Sequence, residues 1–97
     1  MTPEGKFKAQ LKLDIQERFP EAIIASLDPN EIQGIPDLLI LYNEHWAALE
    51  CKRSANASRQ PNQEYYVDKL NDMSFSSFIF PENKEAVLDE MEQSFGL

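Results

Sequence analysis

The chain has 97 residues, a formal net charge of −8, 42% hydrophobic and 27% charged residues. This is the size and balance of one globular domain over 1–97. It lacks the ~20-residue apolar run of a membrane span, and MTPEGKFKAQ lacks the apolar core of a signal peptide. A single cysteine excludes an internal disulfide and fits an intracellular, cytoplasmic setting. A core this small makes self-association an expectation.

The acidity is uneven. Residues 1–63 hold seven Lys/Arg and nine Asp/Glu, whereas residues 64–97 hold two and eight. Phosphate-binding proteins are usually basic, so the total argues against a nucleic-acid partner. Its concentration in the last third weakens that argument.

In chain order, Thr2-Pro3 reads as a helix start, with a hydroxyl cap and proline at the first helical position. Phe7, Leu11, Ile15 and Phe19 recur every four residues, so the helix runs to about Arg18 and Pro20 closes it. Glu4 continues this apolar stripe, either as a fraying end favoured by the helix dipole or as a site carboxylate. Lys6, Lys8, Lys12 and Arg18 give the helix a basic side, whose simplest role is solvation. Ala22–Leu27 reads as a first strand and Asp28-Pro29-Asn30 as turn chemistry. Pro36 leads into LLILY, which is apolar on both faces and reads as a central strand covered on both sides. Asn43-Glu44 is the turn into HWAALECK, the third strand.

RSANASRQP is a polar loop. Asn62 to about Asn71 reads as a helix with Tyr66, Val67 and Leu70 inward. Ser74–Phe80 is a fourth strand, and Pro81 opens a last helix with Val87, Leu88, Met91 and Phe95 on one stripe. The fold class is α/β with a mixed α+β sheet, in the order αβββαβ plus a C-terminal helix.

A two-residue turn at Asn43-Glu44 pairs Tyr42 with His45 and carries Asp37 opposite Glu50. Opposed residues share a face, and alternation adds Lys52 to it. A one-residue slip would separate them. Two opposed carboxylates repel, and a divalent cation relieves that. Mg²⁺ is satisfied by one or two carboxylates with waters and substrate phosphate, and an adjacent lysine suits phosphate chemistry. The plain alternative is that Asp37 caps the turn while Glu50 and Lys52 form a solvated edge. Cys51 alternates away as a buried small side chain, and one Cys with one His makes a zinc site improbable. Arg53 and Arg59, in the loop, suit phosphate contacts or simple solubility.

Pro36-Asp37 followed by Glu50-Cys51-Lys52 resembles the signature of the PD-(D/E)xK nuclease superfamily, whose restriction-endonuclease-like core has the same element order. Gly34-Ile35-Pro36-Asp37, Glu50-Cys51-Lys52 and Gln63 look most similar to the small stand-alone VRR-NUC type of phages, although the family's valine-arginine-arginine element has only Lys52-Arg53 as its nearest counterpart. The resemblance implies a Mg²⁺-dependent endonuclease, with Mn²⁺ substituting, acting as a homodimer on branched DNA such as four-way junctions. It implies Asp37, Glu50 and the Cys51 main-chain carbonyl as metal ligands and Glu4 as a direct or water-mediated one. Lys52 would position or activate the water, and Gln63 would orient Lys52, the water or a phosphate. Arg53 and Arg59 would touch DNA. The alternative is a non-catalytic protein- or DNA-binding module on the same fold.

Overall fold

A computed structural model describes all of residues 1–97. The elements are α1 (Pro3–Arg18), β1 (Ile23–Ser26), β2 (Leu38–Tyr42), β3 (His45–Cys51), α2 (Pro61–Met73), β4 (Phe75–Ile79) and α3 (Lys84–Ser94). The chain is therefore mixed α+β, in the order expected from its sequence. The sheet runs β1-β2-β3-β4. β1, β2 and β3 pair antiparallel, and β4 joins β3 in parallel after the α2 crossover. Such a crossover is what a parallel neighbour requires.

Local chemistry sets the element ends. The Thr2 hydroxyl accepts the Gly5 N–H at 3.0 Å and caps α1. Asn43 takes the left-handed conformation, φ 54°, in the two-residue turn between β2 and β3. That turn fixes Tyr42 opposite His45 and, four pairs on, Leu38 opposite Leu49.

One sheet face carries the core. Leu11, Ile15 and Phe19 of the α1 stripe and Val87, Leu88, Met91 and Phe95 at α3 pack with Leu38, Ile40, Ala47, Leu49, Cys51 and Ile79. Each fully buried Leu or Ile contributes roughly 1.5–3 kcal/mol. Arg18 binds α1 to α3 through Glu92 at 3.0 Å and Asp89, and Lys84 reaches back to Asp14 at 2.6 Å. α2 lies against β3 and β4.

Two expectations need correction. β2 is not covered on both sides: Leu39 is half-buried, Leu41 is 38% exposed and its cross-strand partner Ile23 is 64% exposed. The last helix starts at Lys84, not at Pro81. Pro81–Asn83 form a turn in which the Asn83 side chain accepts the Phe80 N–H at 2.8 Å and donates to the Phe78 carbonyl at 3.1 Å. No helix is long and apolar enough to cross a membrane.

Candidate functional site

The site lies at the end of the sheet where β2 begins and β3 finishes. The β2–β3 pairing ends at Leu38–Leu49; Asp37 and Glu50 are the next residue on each chain, and their carboxyls lie close enough to interact. Asp37 is tied on both sides of its chain. Its carbonyl accepts the Leu27 N–H at 2.8 Å, and its carboxylate Oδ2 accepts the Cys51 N–H at 2.9 Å. The Pro36-Asp37 entry is thus held from both sides, and the other carboxylate oxygen, Oδ1, faces the Lys8 ammonium at 3.5 Å.

Glu50 is only 3% exposed and Lys52 only 7%. A solvated edge is excluded for these two side chains. Buried charges are costly unless paired, and here the pairing runs through α2. The Lys52 ammonium donates to Gln63 Oε1 at 2.8 Å, and Gln63 Nε2 donates to Glu50 Oε2 at 3.2 Å. Lys52 and Glu50 themselves stand 3.9 Å apart. Gln63 Oε1 also accepts the Gln60 N–H at 2.8 Å, so the start of α2 and the site share one amide. Gln60 caps the helix from outside it.

The position of α2 depends on Gly34. This residue has φ 90°, and a Cβ on it would lie 2.4 Å from Asn62 Cβ and 2.8 Å from the Asn62 carbonyl carbon. Only glycine permits both the left-handed backbone and this approach. The loop before Asp37 therefore seats directly on the first turn of α2.

Burial pushes the Glu50 carboxyl up to about 8. The charge of Asp37 adds to this, Lys52 opposes it, and Asp37 hydrogen bonding and Glu4 add further. Burial likewise pushes the Cys51 thiol upward, with Asp37 adding to the shift. Cys51 is fully buried in the core and free, so its side chain points away from the site as alternation requires, while its main chain adjoins Asp37.

An open cleft of about 600 Å³ lies on the Lys52–Gln63 side of the site; Asp37 and Glu50 do not line it. Glu4, Lys52, Arg53, Ser58 and Gln63 line it, with Thr2 at the α1 end. Glu4 and Arg53 thus border the same cleft as Lys52 and Gln63. Arg59 does not line this cleft: its guanidinium lies 3.8 Å over the Phe78 ring and pairs with Glu64 at 3.3 Å. The basic side of α1 is mostly engaged within the molecule. Lys12 meets Ser26 at 3.2 Å, Arg18 meets α3, and Lys8 lies 3.5 Å from Asp37 Oδ1. Lys8 is the site neighbour that sequence reading misses. Its signal was the i, i+4 spacing from Glu4, which places both on one side of the helix.

No three His, Cys, Asp or Glu side chains gather closely enough to hold a metal between them. Asp37, and Glu50 once it gives up its proton, are oxygen donors of the kind a magnesium ion takes together with water. The donor set therefore fits such an ion without needing a third side chain. Comparison of the chain with protein-family models, with curated proteins and with solved structures finds no match.

Proposed function

We propose that the chain is a Mg²⁺-dependent endodeoxyribonuclease, with Mn²⁺ able to substitute. The observation that carries this reading is the buried pair Glu50 and Lys52, held by Gln63, with the partly exposed Asp37 beside Glu50 and a polar cleft on the Lys52–Gln63 side. Glu50 keeps its proton beside the Asp37 charge, and a divalent cation would take the place of that proton between the two carboxyls. Asp37 and Glu50 would hold the ion, with the Cys51 carbonyl beside them and Glu4 reaching it through water, since Glu4 does not gather with the two carboxyls. When bound, the ion supplies charge stabilisation for an in-line attack of water on a phosphodiester.

The chain's own groups do the rest. Lys52 presents N–H donors from a fixed position, because Gln63 accepts one of them. It orients the attacking water and stabilises charge developing on the phosphate. Arg53 meets a neighbouring backbone phosphate along the cleft. The product would carry a 5′-phosphate.

The substrate proposed is branched DNA, and the partner a second copy of the chain, because paired nicks across a junction need two sites. With a net charge of −8 and three α1 cations engaged internally, binding to plain duplex should be weak and steeply salt-dependent. The same charge favours one other reading, a binding module for a basic protein partner. Incubating a labelled four-way junction and a matched linear duplex with the protein, in Mg²⁺ or EDTA, separates these. Paired Mg²⁺-dependent cuts near the branch support the full reading. Equal cutting of both substrates removes the junction preference, and no cutting in Mg²⁺ or Mn²⁺ favours the binding module.

A further inference from the structure

Asp37 has two carboxylate oxygens with different partners. Oδ2 is taken by the Cys51 N–H. Oδ1 faces the Lys8 ammonium at 3.5 Å, with the Lys8 side chain one-third exposed and that of Asp37 about one-quarter. Lys8 lies four residues after Glu4, so α1 offers a carboxylate and an ammonium to the same end of the sheet. Lys12 and Arg18 point to other partners. Of the α1 cations, Lys8 alone is paired with a residue of the site.

We infer that Lys8 is a tethered counter-ion of Asp37 that a divalent cation must displace, and that it thereby sets the cation concentration at which the site fills. This rests on the metal-site reading above. A cation sharing Oδ1 meets a positive charge already in place, so filling requires Lys8 to withdraw or to remain at the cost of repulsion. The ammonium sits on a flexible four-carbon stem at a partly exposed position, which permits withdrawal. Its hold is that of a partly exposed ion pair, small enough for a doubly charged ion to overcome. The expected consequence is a site tuned to weaker binding than its carboxylates alone would give.

The test is Mn²⁺ affinity without DNA, read from the electron paramagnetic resonance signal of the free ion at equilibrium. The proteins are wild type, Lys8→Gln, Lys8→Arg and Asp37→Asn, each checked for folding by circular dichroism. Lys8→Gln should bind Mn²⁺ about two- to fivefold more tightly, in line with the worth of such pairs. Lys8→Arg, which keeps the charge, should stay within about twofold of wild type by the same reasoning. Equal or weaker binding by Lys8→Gln, with wild-type binding lost in Asp37→Asn, would overturn the counter-ion role and leave the metal site standing. Absence of any Asp37-dependent Mn²⁺ binding in wild type and Lys8→Gln alike would overturn the metal site and this inference together. Should Lys8→Gln fail to fold, the comparison passes to Lys8→Met, with the same expected tightening.

Discussion

The Gln63 side-chain carbonyl accepts the Lys52 ammonium at 2.8 Å. The same amide donates to Glu50 and accepts from the Gln60 main chain. One amide therefore fixes Lys52, Glu50 and the first turn of α2. Gln63→Ala should lower kcat by about 10- to 100-fold, the usual cost of removing a group that orients a metal ligand. KM should change little. A stability loss alone, with kcat intact, would show that Gln63 only caps the helix.

Glu50 predicts an unusual pH dependence of stability. Its carboxyl titrates near 8 in the folded protein against 4.5 ordinarily. Between those values the folded chain binds more protons than the unfolded chain. Stability from this group is full below about pH 4.5 and is lost as pH rises through about 8, at no more than about 1.4 kcal/mol per pH unit. Metal-free protein should therefore melt lower at about pH 8.5 than at about pH 6. Glu50→Gln should flatten that slope, and denaturant melts at the two pH values measure it directly.

The proton on Glu50 also competes with a cation for the same carboxylate. Mg²⁺ binding should release protons near neutral pH and tighten as pH rises toward about 8.5. Calorimetry in buffers of different ionisation enthalpy reports the proton count. A buffer-independent heat would contradict a protonated Glu50 in the metal-free protein.

Asp37 has a structural and a chemical part that substitution can separate. Asp37→Asn keeps an oxygen for the Cys51 N–H, so its stability should lie within about 1 kcal/mol of wild type. Asp37→Ala leaves that donor unpaired and should cost about 1–3 kcal/mol more. Both should abolish Mg²⁺-dependent cleavage. Chemical denaturation of the two variants side by side checks the difference.

Gly34→Ala should destabilise the protein by about 2 kcal/mol or more, since it combines a left-handed backbone with a clash against the Asn62 main chain. The damage should appear at Gln63 as well as globally, through displacement of the α2 start. Amide exchange at the first turn of α2 measures it.

Much of this arrangement is legible in the sequence because the hairpin turn is short. Asn43-Glu44 leaves one register, and that register alone brings Asp37 to Glu50. The exposed side of β2 was not legible, because an apolar run looks the same whether a helix covers it or solvent does; Ile23 and Leu41 decide this only in three dimensions. The start of α3 differs from the expectation at Pro81 because a proline can open a turn as well as a helix, and Asn83 stabilises the turn. The burial of Lys52 depends on Gln63 eleven residues away, and the pairings of Lys8 and Arg59 depend on Asp37 and Phe78. Charge patterns along a chain do not specify such partners.

The most direct measurement is strand scission by wild type, Glu50→Gln and Lys52→Gln on one end-labelled branched DNA in Mg²⁺, with the new ends analysed. Wild type should cut and leave 5′-phosphates, while both variants, folded by circular dichroism, should lose at least about a hundredfold in rate. Cutting that survives both substitutions, or no cutting by wild type in Mg²⁺ or Mn²⁺, would contradict a nuclease built on Asp37, Glu50 and Lys52.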